Sequence, residues 1–306
     1  MLNLESNLNK TELRWVILGG NGELGTSIAR KLQQRNFQTL TLSRTDFEIT
    51  RSKQHEFKII DFCPDVIINA AAWTNVELAE VHQENAMQVN GYAVAELAKI
   101  AKRSNSRFFQ ISTNYVFAGD LAREYSINAN SNPVNQYGVS KELGEKLAIQ
   151  EYSENSYIIR TSSLYGPNGT NFVNKLLKRY YRDNEVIEVV SDQFCQPTFS
   201  GDLAEQIIDI SLHDLDAGIY HCTNSGVTSW FEFSKVILGS LNLNSERVKP
   251  VLTYDVYNKA KRPLFPIIEE TSWGELGLKP MRTWEIALKS VIQQIHSPIL
   301  ESRGIS

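Results

Sequence analysis

Short apolar runs alternate with glycine-rich or polar breaks along the first half of the chain. Arg14-Trp-Val-Ile-Leu18 is continuously apolar after its first residue, the pattern of a strand buried on both faces. Gly19-Gly-Asn-Gly-Glu-Leu-Gly25 interrupts it, and residues 26–34 then follow a helical pattern. Residues 37–42, 65–72, 107–117 and 157–165 are further predicted strands. Residues 81–101 form a predicted helix with Val89, Val94, Leu97 and Ile100 on its apolar face, and residues 140–149 form another. Residues 119–136 are polar, contain several Asn and Pro133, and read as a long loop of the kind that often carries function. Regular strand–helix alternation predicts an α/β fold with a doubly wound parallel sheet. After residue 165 the pattern loosens. Residues 171–182, 202–212, 231–241 and 284–295 read as helices, and 186–190 and 218–222 as strands. Residues 192–199 read as an irregular loop, and a mostly irregular stretch precedes the last helix. The expected organisation is a flexible extension over 1–13 and a dinucleotide-binding domain over 14–165, completed by about residues 200–225. A smaller substrate domain would take 166–199 and 226–306.

Composition narrows the class of function. The chain has 306 residues, 42% hydrophobic and 22% charged, enough for one large or two unequal domains. Its net charge of −4, with signs mixed along the chain, argues against a nucleic-acid or anionic-lipid partner. The longest apolar runs, such as residues 66–72, are too short to span a bilayer, and the first ten residues lack a signal-peptide pattern. Cys63, Cys195 and Cys222 are isolated, forming neither a zinc pattern nor a disulfide framework, so a cytoplasmic location is expected. The five histidines show no ligand spacing, and no metal site is expected. The oligomeric state stays open between a monomer and a homodimer.

Candidate chemistry lies at the strand ends. Gly19, Gly22 and Gly25 sit between a strand and a helix. There, missing side chains let backbone approach a pyrophosphate and the helix N-terminus attracts its charge. The alternative is a tight turn with no ligand. Where an acid would meet a ribose 2′-hydroxyl, the chain has Ser43 and Arg44. Arg44 either pairs with a 2′-phosphate, which favours NADPH over NADH, or is an ordinary surface arginine. Ala70, Ala71 and Ala72 leave room for a flat cofactor, or serve tight helix–sheet packing. Asn90, inside a predicted helix, reads as solvated or as a structural hydrogen-bonder. Thr113 falls near a strand's C-terminal end, where open α/β sheets place ligands. Tyr137 and Lys141 are four residues apart, hence one helical turn apart on one face. An ammonium there lowers the pKa of the phenol, which could then exchange a proton with a carbonyl or alcohol oxygen. The spacing alone is a weak signal; its company gives it weight.

That company resembles the extended short-chain dehydrogenase/reductase superfamily, with its Rossmann-type sheet. The resemblance narrows further. Pro64-Asp-Val-Ile-Ile-Asn-Ala-Ala-Ala-Trp-Thr74, Glu77, Ala79-Glu80, Val89-Asn90, Ser112-Thr-Asn-Tyr-Val-Phe117, Asn135-Gln-Tyr-Gly-Val-Ser-Lys141 and Arg160-Thr-Ser162 look like the dTDP-4-dehydrorhamnose reductase family. So do Tyr165-Gly166, Asn171-Phe172, Asp192-Gln193, Pro197-Thr198, Gly218-Ile-Tyr-His221 and Arg262-Pro263. The resemblance runs from about residue 14 to the last helix. It implies NAD(P)H-dependent reduction of the C4 ketone of a 4-keto-6-deoxysugar nucleotide such as dTDP-4-dehydro-L-rhamnose.

Carried over residue by residue, the resemblance makes Tyr137 the general acid. Lys141 tunes it and binds the nicotinamide ribose, and Thr113 bonds the reacting oxygen. Gly19, Asn21, Gly22, Glu23 and Leu24, with Gly25, would cradle the pyrophosphate. Glu48 and Ile49 would lie beside the adenine and Ala70 to Ala72 along the cofactor. Asn114, Tyr115, Ser163, Asn171, Gln193 and Arg262 would join Thr113 and Tyr137 around the sugar nucleotide. Two residues depart from the family pattern: Asn114 where it usually has Asp, and Ser163 where it usually has Trp. The first removes a charge but keeps an acceptor; the second removes a stacking wall. Both imply a changed sugar pocket. A second reading is a non-catalytic NADP-binding protein resembling the regulatory subunit of methionine adenosyltransferase, against which the retained Tyr137, Lys141 and Thr113 argue. A sugar dehydratase would be expected to carry Asp-Glu where this chain has Asn114-Tyr115.

Overall fold

A six-stranded parallel sheet organises the chain, and its continuous apolar strands are buried on both faces. The computed structural model describes residues 13–182, 184–256 and 259–302; the expected extension before residue 13 lies outside them. The elements run β1 (Arg14–Leu18), α1 (Glu23–Gln34), β2 (Gln38–Leu42), α2 (Ser52–His55), α3 (Phe57–Ile60), β3 (Val66–Asn69), α4 (Val76–Val81) and α5 (Gln83–Met87). A π-helical turn, Gln88–Tyr92, leads into α6 (Ala93–Arg103), β4 (Arg107–Thr113), α7 (Gln136–Tyr152) and β5 (Ser156–Thr161). Then follow β6 (Leu164–Tyr165), α8 (Phe172–Arg182), β7 (Ile187–Val190), β8 (Phe194–Cys195), β9 (Thr198–Phe199), α9 (Ser200–Leu212) and β10 (Gly218–His221). The chain closes with β11 (Thr228–Ser229), α10 (Trp230–Ser240), β12 (Val248–Val251) and α11 (Trp284–Glu301).

Sheet order is β10-β5-β4-β3-β1-β2, all pairs parallel, as the alternation predicted. The order reverses between β1 and β3, and a crevice opens at that switch point beyond the strands' C-terminal ends. Ile17, Ile68, Phe109 and Ile159 pack on one face against Leu24 and Ile28 of α1 and Ile207 of α9. Val16, Ile67, Phe108 and Ile158 pack on the other against Leu97 of α6 and Ala148 of α7. A separate core, built from Leu177 of α8, Ile187 of β7, Phe233 of α10, Val248 of β12 and Val291 of α11, lies outside the sheet.

Several expected elements differ, each for a local reason. The single helix expected over 81–101 is broken. Asn75 caps α4 by accepting from Leu78 N, His82 leaves helical geometry, and the π turn inserts an extra residue before α6. The strand expected to reach Ala72 ends at Asn69, whose side chain accepts from Ala71 N at 3.2 Å as the backbone turns out of the sheet. The strand expected through Tyr165 ends at Thr161, because Ser163 has φ +47°; β6 then pairs with β9 instead. The stretch expected to be irregular holds β12, parallel to β7, whose Pro250 disguised it as a non-strand.

Helix α7 is fixed to the sheet by a buried ion pair. The Glu145 carboxylate accepts Arg160 Nε at 3.0 Å and Nη2 at 2.7 Å, and also the Ser112 hydroxyl. The two side chains are 4% and 5% exposed, so neither charge has water as an alternative partner. Glu145→Leu should therefore lower unfolding free energy by about 3–5 kcal/mol by stranding the Arg160 charge. The double variant Glu145→Leu/Arg160→Met should recover much of that loss, as read by urea denaturation.

Candidate active site

The switch-point crevice is a cleft of about 1040 Å³. Its floor begins at the turn after β1. Gly19 has φ +80°, and a Cβ there would stand 2.7 Å from Ala71 N, so only glycine lets β1 and the end of β3 meet this closely. Gly19, Asn21, Gly22, Glu23 and Leu24 all line the cleft, as do Ala70, Ala71 and Ala72. Gly25 does not: it sits behind the turn, where a Cβ would meet Gly19 O at 2.3 Å. The turn therefore presents backbone at the start of α1, a geometry suited to an anion. The Glu23 side chain turns elsewhere, its carboxylate accepting Ser200 Oγ at 2.8 Å and Asn171 Nδ2 at 3.1 Å. Burial pushes its pKa up, and those two bonds pull against it.

Arg44, Glu48 and Ile49 line the far end of the cleft. The Arg44 side chain is 87% exposed and its Nε meets the Glu48 carboxylate at 2.7 Å. Glu48 is pulled below its usual range by Arg44 and Thr50, against an opposing effect of burial that is the largest single influence.

At the other end stand Thr113, Tyr137 and Lys141. Tyr137 lies in the first turn of α7, which starts four residues before the predicted helix. Asn135 caps that turn by accepting from Gly138 N at 2.8 Å, and the Glu80 carboxylate accepts Gln136 N at 2.8 Å. Gly138 and Gly144 let α7 approach its neighbours: added Cβ atoms would stand 2.2 Å from Tyr115 O and 2.1 Å from Asn90 O. Asn90 is indeed a structural hydrogen-bonder, bonding both Trp73 N and Trp73 O and donating to Ser140 Oγ at 2.9 Å.

Lys141 is 3% exposed, and its Nζ donates to Ile111 O at 2.5 Å. Burial pushes its pKa down to about 8, with the Glu145 charge opposing. Burial pushes Tyr137 up to about 12, and a hydrogen bond with Thr113 pulls it back. That direction is opposite to the one expected from the Tyr–Lys spacing: desolvation is the largest influence on the phenol, and the Thr113 hydrogen bond pulls against it.

The predicted sugar-side residues divide. Thr113, Asn114, Tyr115, Ser163 and Arg262 line the cleft with Tyr137. Asn114 donates to Ser162 Oγ at 3.0 Å and to Pro266 O at 2.7 Å, so its amide satisfies acceptors that a carboxylate would not. Asn171 touches the cleft, but its amide donates to Gly166 O and Glu23 while its oxygen accepts from Asn174 N. Gln193 is buried, bonds Thr253 Oγ1 at 3.0 Å and is not among the lining residues. Sequence reasoning missed the lining residues Thr170 and Trp230, which no motif marked, and gave no role to the lining residue Trp73 within its motif.

The RmlD substrate binding domain model matches residues 13–297. The chain belongs to the dTDP-4-dehydrorhamnose reductase (RmlD) family. One relative is a dTDP-4-dehydrorhamnose reductase of Streptomyces griseus, 34% identical, the match covering 90% of this chain and 91% of that protein. Another is a dTDP-4-keto-6-deoxy-D-glucose reductase of Streptomyces niveus, 33% identical over 90% of this chain and 95% of that one. A solved dTDP-4-dehydrorhamnose reductase of Bacillus anthracis, in complex with NADP, superposes with a TM-score of 0.87 at 32% identity, covering 92% and 99% of the two chains. In this member of the RmlD family, Asn171 makes a local test possible. Asn171→Asp keeps the oxygen that caps α8 but replaces the donor to Glu23 with a second carboxylate. Repulsion raises both pKa values in the folded state, so stability should fall as pH rises through them and recover on acidification. Melting temperature followed from pH 4 to 8 would show this, with wild type as the reference.

Proposed function

We propose that the protein reduces the C4 ketone of a dTDP-linked 4-keto-6-deoxysugar, such as dTDP-4-dehydro-L-rhamnose, using NADPH. The observation that carries this reading is the meeting of Tyr137, Lys141 and Thr113 in one cleft with the glycine turn that forms its floor. The named activities of the family's relatives support it. The sheet with its flanking helices holds the cofactor, and the second core supplies the sugar-nucleotide wall. The glycine turn fits a pyrophosphate, Ala70 to Ala72 leave room for the nicotinamide half, and Arg44 fits a 2′-phosphate; the Bacillus anthracis relative was solved in complex with NADP. When bound, the reduced nicotinamide supplies the hydride.

The chain's own residues then handle the proton. Thr113 and Tyr137 hydrogen-bond the C4 oxygen, and Tyr137 gives its proton as negative charge develops there. With its pKa held near 12, Tyr137 is protonated throughout the neutral range and ready as the acid. Lys141 acts one turn away, its ammonium offsetting the charge left on the phenol.

Tyr137→Phe should lower the rate of ketone reduction by about 10²–10⁴-fold while leaving NADPH affinity unchanged. NADPH oxidation with dTDP-4-dehydro-L-rhamnose, beside direct cofactor titration, measures both. Retained turnover in that variant would defeat the mechanism; no turnover by wild type across a panel of 4-keto-6-deoxysugar nucleotides would defeat the function. The pH dependence follows from Lys141. It is charged below about 8 and loses its proton as pH rises through that value. The kcat/KM profile should therefore descend above pH 8, and Lys141→Met should be slow at every pH without that limb.

A further inference from the structure

Part of the cleft wall hangs from the cleft floor by one side chain. Residues 166–171 form the loop that enters α8, and Gly169, Thr170 and Asn171 of that loop line the cleft. Glu23, the first residue of α1, lines it from below. The Glu23 Oε2 accepts Asn171 Nδ2 at 3.1 Å, and its Oε1 accepts Ser200 Oγ at 2.8 Å. The Asn168 backbone N–H bonds the same carboxylate. Among the described residues, no other hydrogen bond joins this loop to the glycine turn or to α1.

The packing is built around that carboxylate. A Cβ at Gly166 would collide with it and with Ser200 Oγ. A Cβ at Gly169 would meet Glu23 Cβ at 3.9 Å and nothing else within 4 Å, so at this point the loop rests on Glu23. Ser200 is fully buried, with its hydroxyl 3.0 Å from Ser27 Oγ. Taking a carboxylate into such a place costs solvation that its donors must offset. An apolar side chain could fill the space without that cost, but it could not hold the loop to one point on the turn. The main chain of Glu23, meanwhile, is part of the turn that presents N–H groups to an anion. One residue thus offers its backbone to the diphosphate site and its side chain to the loop.

We propose that Glu23 is a positioning residue that couples the two halves of the cleft, its carboxylate passing the fixed position of an occupied glycine turn on to loop 166–171 on the sugar-nucleotide side. This rests on the nucleotide-sugar reading above. A turn whose anion site is filled has less freedom than an empty one, and a loop suspended from it loses the same freedom. The second ligand then meets a wall that is already ordered, and the gain in affinity is reciprocal. The alternative is an acidic residue that only favours the first turn of α1. That role would move stability and leave the two ligands independent.

Calorimetric titration of dTDP into cofactor-free and into NADPH-saturated protein separates the two, because the ratio of the affinities is the coupling factor. In wild type, NADPH should tighten dTDP by about 5-fold or more. Glu23→Ala should bring that factor close to 1 while leaving the affinity of the cofactor-free protein for dTDP nearly unchanged. Ser200 is not among the lining residues, and Ser200→Ala should lower the factor as well. Glu23→Gln, which keeps one acceptor oxygen, should fall between Glu23→Ala and wild type. In turnover at saturating NADPH, Glu23→Ala should raise KM for the nucleotide sugar more than it lowers kcat. A wild-type factor of 1, or an undiminished factor in Glu23→Ala, would overturn the coupling. Equal weakening of dTDP with and without NADPH in that variant would overturn it too, by pointing to direct contact or general disruption. If Glu23→Ala failed to bind NADPH at all, Ser200→Ala would decide, and an unchanged factor there would count against the proposal. If wild type with NADPH bound neither dTDP nor UDP, the nucleotide-sugar reading itself would fall, and the coupling with it.

Discussion

Helix α7 cannot slide or rotate on the sheet, and the chemistry of the cleft depends on that. Tyr137, Lys141 and Glu145 lie on one stripe of the helix, one turn apart each. Fixing the last of them fixes the direction of the first two. The buried Glu145–Arg160 pair does so through two bonds of defined geometry, 3.0 and 2.7 Å. A pair of apolar side chains could fill the same volume with equal stability but would tolerate rotation. The glycines at 138 and 144 bring backbone so close that sliding is blocked as well. Ion pair and close contact thus hold different degrees of freedom, and the tyrosine hydroxyl inherits its place from both.

Burial then decides the electrostatics. Taken alone, an ammonium one turn from a phenol favours the phenolate. Packed between β4, the π turn and Tyr115, the same pair loses its water, and each group moves toward its neutral form: Tyr137 upward, Lys141 downward. A protonated tyrosine suits reduction, where a proton must be delivered. A lysine whose ordinary pKa has been brought within reach of neutral pH makes the site's charge sensitive to mild alkali. Glu145, one turn beyond, opposes that loss, so the pair that fixes the helix also supports the charge on it.

What could be read from the residues follows from how local each feature is. The parallel sheet was legible because buried parallel strands are short continuous apolar runs, and Arg14–Leu18 and Val66–Asn69 are that. The glycine turn was legible because it lies between such a run and a helix. Tyr137 and Lys141 were found by spacing on a single helix. The break at His82 and the π turn were not legible: periodicity over 81–101 is nearly the same with one inserted residue, and only packing of Gly91 against Leu143 reveals the shift. Burial, too, is a property of the assembled fold, which is why spacing alone assigned the wrong sign to the Tyr137 pKa. Gln193 and Asn171 were placed around the substrate by motif, but their hydrogen-bonding capacity is largely taken by Thr253 and by Glu23, Gly166 and Asn174.

The sugar-side wall was the least legible part because no single segment builds it. Ser163, Thr170, Trp230 and Arg262 lie far apart along the chain between residues 163 and 262 yet line one cleft, and Trp230 also packs on the second core. This also changes the meaning of the serine that replaces a tryptophan. Ser163 sits in a left-handed conformation at the exit of β5, a place where the chain turns to pair β6 with β9. Loss of a large ring there need not strip the cleft of aromatic surface, because Trp73 and Trp230 line it from other elements, and Trp230 is itself packed on Phe172 with centroids 4.4 Å apart. Likewise Asn114 is matched to its surroundings: its amide serves Ser162 and the Pro266 carbonyl, and an aspartate would leave that carbonyl without its donor. The two departures from the family pattern are therefore not isolated losses. Each sits in a neighbourhood that fits the residue present, which is what a cleft adjusted to its own substrate requires.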